Sequence, residues 1–73
     1  MDVSMGLKNG VRDRRLALGM TQVELSRLTG VSRQSIWAIE RGEDYEPSLS
    51  VARAIAEALK TSPELLFWSE AVA

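Results

Sequence analysis

The chain has 73 residues, a formal net charge of −1, 45 % hydrophobic and 26 % charged residues, and neither cysteine nor histidine. Those figures describe one small globular domain. They exclude disulfides and zinc sites built from Cys and His ligands, and no apolar run approaches the ~18 residues of a membrane span. A chain of this size buries only roughly 60 % of the surface its unfolded form exposes. Its stability has to come from well-packed elements, to which a second copy of the chain can add. The opening Met1-Asp2-Val3-Ser4-Met5 lacks the basic region and long apolar run of a signal peptide, which points to a cytoplasmic chain with a flexible tail at 1–6 and Met5 as an alternative start.

Glycines at 19, 30 and 42 each close an apolar-periodic stretch, as left-handed helix caps do, and helix-starting residues follow each one. The pattern predicts five helices, at about 7–18, 22–29, 33–40, 49–60 and 63–69. No strand is expected, since no segment alternates for more than a few residues. The first helix carries Leu7, Val11 and Leu18 on one stripe, with Arg15 close to Val11 on the wheel and Gly10 as a weak point inside it. Thr21 and Glu24 form a capping box for the second helix. Ser32 can cap the third, whose inner face is Ile36 and Ile39, with Glu40 close by and Gln34, Trp37, Ala38 and Arg41 pointing away. Ser48 can cap a fourth helix that is apolar nearly all round apart from Ser50, Arg53, Glu57 and Lys60, as suits the centre of a bundle. Ser62-Pro63-Glu64 opens the fifth, which ends in Leu65-Leu66-Phe67-Trp68 before a short tail at 70–73. This block either closes the core from below or leaves Phe67 or Trp68 exposed as a dimer surface; because four consecutive large residues cannot all lie on one face of a helix, at least one is expected at a two-fold interface.

Charge is unevenly spread. Residues 1–41 carry seven Lys/Arg against four Asp/Glu and residues 42–73 two against six, so the two halves stand at +3 and −4. Such asymmetry suggests a basic and an acidic face.

The informative stretch is Gln22 to Arg41, QVELSRLTGVSRQSIWAIER. It reads as two short helices joined at Thr29-Gly30-Val31. A helix-turn-helix needs a small residue where the helices approach, here Ser26. It needs a glycine in the turn, here Gly30. Apolar residues must lock the pair, here Leu25, Val31, Ile36 and Ile39. The second helix then has its first turn free for a DNA groove.

Residues 11–67 resemble the phage repressor/Cro-type helix-turn-helix family of transcription regulators. The matching residues run Val11, Arg15, Gly19-Met20-Thr21-Gln22, Glu24-Leu25, then Gly30-Val31-Ser32, Ile36, Ile39-Glu40 and Gly42, then Pro47-Ser48, Ala56 and Leu59. The resemblance implies an all-α, five-helix, lambda-repressor-like bundle over residues 7–69 that binds double-stranded operator DNA as a homodimer, most simply as a repressor. It implies base contacts from Arg33 and Gln34, with Ser35 and Trp37 nearby, and a phosphate contact from Gln22. Chemistry agrees, since Gln pairs with adenine and Arg with guanine in the major groove. Trp37 is open to two readings, packing on a thymine methyl or sugar, or on a neighbouring side chain. Arg12, Arg41, Thr21 and Tyr45 are candidates for the backbone. The family pairs the positions of Arg15 and Glu40 in a partly buried ion pair.

Two residues or segments depart from that pattern. Arg14 stands where an apolar or aromatic residue is common, and either snorkels outward or adds to the basic face. The loop Gly42-Glu43-Asp44-Tyr45-Glu46 is acidic, which would repel a phosphate. A second reading, a toxin-binding antitoxin or other interaction module of the same fold, is left open by the acidic half and the aromatic end, with Leu65, Leu66, Phe67 and Trp68 as interface candidates. An enzyme is not expected, because no paired or pocketed catalytic arrangement, phosphate-cradling loop or metal cluster is visible, and no cofactor is implied.

Overall fold

A computed structural model describes residues 7–42 and 46–69. The expected tails at 1–6 and 70–73 and Tyr45 of the acidic loop lie outside the described residues. The elements in order are β1 (Leu7–Asn9), α1 (Val11–Ala17), α2 (Gln22–Thr29), α3 (Arg33–Arg41), α4 (Leu49–Ala58), α5 (Pro63–Leu66) and β2 (Phe67–Ser69). Among the described residues, no helix is long and apolar enough to cross a membrane.

Five helices form where expected, and local chemistry explains their ends. Thr21 and Glu24 make the reciprocal capping box of α2, and Ser32, Ser48 and Ser62 accept from backbone N–H groups at the starts of α3, α4 and α5. Gly30 and Gly42 end α2 and α3 at φ of 76° and 71°, a left-handed conformation that costs glycine nothing. The core joins Val11, Leu25, Val31, Ile36, Ile39, Ala52, Ile55, Ala56, Leu59, Leu66 and Phe67. Helix α4 packs on both α2 and α5, and α3 packs on α1 and α2. One end of α4 escapes the expected central position, since Leu49 is exposed.

The absence of strands is corrected at both ends. Leu7–Asn9 and Phe67–Ser69 pair antiparallel, with Leu7 opposite Ser69, Lys8 opposite Trp68 and Asn9 opposite Phe67. Helix α1 consequently starts at Val11, not at residue 7. The Asn9 side chain takes the Val11 N–H at 3.0 Å, so the helix is capped just after Gly10 and the preceding residues are released to the ladder. At the other end the backbone becomes extended at Phe67, with φ −120° and ψ 136°. This switch solves the problem of the four large residues. With the backbone extended from Phe67, successive side chains alternate, so the Phe67 ring turns inward and Trp68 outward. Leu66 and Phe67 are therefore core residues of a single chain, which removes them from the expected interface; Leu65 and Trp68 remain exposed. Leu18 is a further correction. It lies beyond the end of α1 and is exposed rather than on the inner stripe.

Arg14 takes a role that the sequence does not reveal. Its Nε donates to the Leu59 carbonyl and its Nη2 to the Lys60 carbonyl, both at 2.9 Å. Helix α4 ends there in a Schellman turn, with Thr61 N–H bonded to the Ala56 carbonyl and Lys60 N–H to that of Glu57, and with Lys60 at φ 59°. The guanidinium satisfies carbonyls at the negative end of the helix and ties α1 to it.

Candidate nucleic-acid interface

The two motif helices are fixed at both ends of their contact. At the turn, Ser26 Oγ donates to the Val31 carbonyl at 2.7 Å, so the small residue is also a hydrogen-bonding one. Thr29 Oγ1 donates to the Leu25 carbonyl and accepts from Val31 N–H, closing the turn on itself. Leu25, Val31, Ile36 and Ile39 are buried between the helices.

At the opposite end lies a charged cluster. Arg15 Nε donates to Glu40 Oε2 at 2.7 Å and Nη2 to Glu40 Oε1 at 3.0 Å, a two-pronged pair with side chains only 9 % and 4 % exposed. The remaining Arg15 nitrogen, Nη1, donates to the Met20 carbonyl at 2.8 Å. Gln22 Nε2 donates to Glu40 Oε1 at 3.0 Å. The hydrogen bond to Glu40, before any other influence, raises the Arg15 pKa above its ordinary value. A raised cationic group contributes stability below its unfolded pKa, so while Glu40 is ionised this contribution is fully present at neutral pH and is lost on the alkaline side only above the guanidinium range.

Helix α3 is thereby held by its inner face alone. Ile36 and Ile39 are buried, while Arg33 and Gln34 in the first turn are exposed and Ser35 is half-buried against its cap, accepting a hydrogen bond from Ser32 Oγ at 2.9 Å. Trp37 is 48 % exposed, and the Arg41 guanidinium stacks on its ring at 4.6 Å. Both readings of Trp37 survive this geometry, since its neighbour covers one side of the ring and leaves much of it to solvent. Arg33 also lines a shallow groove with Thr21, Gln22, Val23, Leu16 and Met20. The structure thus brings Arg33, Thr21 and Gln22 to one surface. Arg12 stands exposed on the first turn of α1.

Asn9 is the site residue that sequence reasoning misses. Its Nδ2 donates to the Ile39 carbonyl at 2.9 Å, while its Oδ1 serves Val11. Its amide holds the end of α3 and the start of α1, and its backbone pairs with Phe67 in β2. The only signal in the sequence is an Asn beside a Gly, which marks a turn and not a distant partner.

A pair of helices locked through a tight glycine turn, with the first turn of the second helix uncovered, defines a helix-turn-helix DNA-binding domain. The helix-turn-helix family model matches residues 11–66. A Bacillus subtilis protein named as an uncharacterized HTH-type transcriptional regulator, YgzD, is 42 % identical over 64 residues, which cover 88 % of this chain and 96 % of that one. A Methanothermobacter thermautotrophicus protein, also named as an uncharacterized HTH-type transcriptional regulator, is 51 % identical over 49 residues, 67 % of this chain and 70 % of its own. The crystal structure of the restriction-modification controller protein C.AhdI from Aeromonas hydrophila superposes with a TM-score of 0.71 at 35 % identity, covering 78 % of this chain and 85 % of that chain. The protein belongs to the helix-turn-helix family of DNA-binding transcription regulators, of phage repressor/Cro type. The same fold also makes up 32 % of the chain of HppE, with a TM-score of 0.68 at 33 % identity, so fold alone does not define what a member does.

Proposed function

We propose that the protein reads operator DNA by inserting the first turn of α3 into the major groove and represses transcription by occupying a promoter rather than by any chemistry of its own. One observation carries this reading. Arg33 and Gln34 are exposed on a helix whose other face is fully committed to the core through Ile36 and Ile39. In this reading Gln34 contacts adenine and Arg33 guanine, with Ser35 and Trp37 alongside. Thr21, Gln22, Arg12 and Arg41 meet phosphates, which position the helix without specifying sequence. The chain acts as a homodimer, and Leu65 and Trp68 are the exposed apolar residues offered to the partner. A two-fold assembly would set the two recognition helices about 34 Å apart, one turn of DNA.

Selection of bound sequences from random duplex DNA, with wild type and Gln34→Ala in parallel, tests the reading. The expected result is a preferred site that loses base preference at one position per half-site in the variant. An unchanged preference in a folded variant removes Gln34 from the readout. Sedimentation equilibrium tests the assembly, and a monomer at high micromolar concentration counts against it.

A further inference from the structure

Gln22 opens α2 at the surface, yet its side chain is bound to a buried group. Glu40 Oε1 already accepts from Arg15 Nη2 and takes Gln22 Nε2 as a second donor. This arrangement fixes which way the Gln22 amide points. A flipped amide would press Oε1 against a carboxylate oxygen, with no proton between them. The amide nitrogen has two protons. One goes to Glu40, and the other is left for a partner outside. A phosphate oxygen only accepts, so that second proton is the part of the side chain that can meet DNA. Arg15 Nη1 holds the Met20 carbonyl in the segment leading into α2, so the entry to the helix and its first side chain are set by one cluster.

We propose that Glu40 is a positioning residue for DNA binding: from within the fold it aims the Gln22 amide so that one N–H faces the phosphate backbone. The proposal rests on the DNA-binding reading above. Glu40 itself touches no DNA. Its effect passes through Gln22, next to the N–H groups of the first turn of α2, which have no intrahelical partner. Arg33, on the same groove, supplies charge to the same surface.

A double-mutant cycle on the full chain tests this, with a mixed-sequence duplex of ~20 base pairs as the probe because a backbone contact is independent of sequence. Gln22→Ala is expected to weaken binding about tenfold, in the range of a hydrogen bond to a charged acceptor. Glu40→Gln is expected to weaken it in the wild-type background and to add nothing in the Gln22→Ala background, with thermal melts used to work at temperatures where each variant is folded. The salt dependence should keep its slope in both, since a neutral amide releases no counterion. Gln22→Asn covers the case in which Glu40→Gln fails to fold. It keeps the amide but is one methylene too short to reach Glu40 and a phosphate together, and it should bind as weakly as Gln22→Ala. Wild-type affinity in Gln22→Asn, or additive losses in the cycle, would overturn the proposal. A wild-type protein that binds no duplex at all would bring down the DNA-binding reading itself, a result the cycle separates from the other two.

Discussion

The two ends of α3 are built in opposite ways. At its C-terminal end Ile39 is buried, Glu40 is bonded to Arg15 and Gln22, and the Ile39 carbonyl is taken by Asn9. At its N-terminal end Arg33 and Gln34 stand in solvent, on a turn held from beneath by the Ser32 cap and the buried Ile36. A recognition surface requires side chains with no commitment inside the fold, yet those side chains need a helix that does not move. The chain separates the two requirements along nine residues. Substitutions should accordingly grade from lost stability at one end to lost base preference at the other.

The largest effect is expected at Arg15. Removing it leaves the Glu40 carboxylate buried without its cation, which costs about 3–5 kcal/mol in comparable sites. A domain of this size has little stability to lose, so Arg15→Ala should melt far below wild type and bind DNA poorly because it is unfolded. A melting temperature close to wild type would break the contrast at its strongest point.

Asn9→Ala comes next. It removes one of two donors to the Ile39 carbonyl, which keeps the Gly42 N–H, and leaves the Val11 N–H at the start of α1 without its acceptor, for about 1–3 kcal/mol. Base preference should be unchanged, because Asn9 acts at the committed end. Chemical denaturation would measure the first effect and selection from random DNA the second. A shift in preferred bases would mean that the anchoring at Ile39 reaches the recognition turn.

How far these roles could be read in advance depends on sequence distance. The caps at Thr21, Ser32, Ser48 and Ser62 and the glycine turns involve partners within a few residues, and each is legible from its own neighbourhood. Arg15 and Glu40 are 25 residues apart, but helical phase puts each on an inner face where a lone charge would be intolerable. Asn9 and Ile39 are 30 apart and Arg14 and Leu59 are 45 apart, and in both cases the acceptor is a backbone carbonyl, which carries no residue-type signal. The terminal ladder was hidden for a related reason. Three residues per strand are too few for an alternation to register, and Leu65 to Trp68 continue the apolar run of the fifth helix without a Gly or Pro to mark where it stops.

Ser32→Ala lies between the extremes. The hydroxyl accepts from Ser35 N–H at 3.1 Å and donates to Ser35 Oγ, so its loss should cost about 1 kcal/mol, the usual value for a helix cap. This variant should show both kinds of effect. Fraying of the first turn lowers stability slightly and also loosens Arg33 and Gln34, weakening binding to all sequences without changing their rank.

The smallest effect on stability, and the most selective on binding, is expected at Gln34. An exposed residue whose side chain makes no hydrogen bond among the described residues should change stability by no more than about 0.5 kcal/mol when truncated. Yet a lost two-pronged contact to a base is worth about 1–3 kcal/mol of discrimination. Gln34→Ala should therefore melt with wild type and still bind mixed-sequence DNA through its phosphate contacts, while its preference for the selected operator over that background falls by about ten- to a hundredfold. Competition binding with the selected and mixed-sequence duplexes measures that ratio directly. If the ratio holds while stability drops, the N-terminal end of α3 is a structural element after all, and the division of labour along the helix runs the other way.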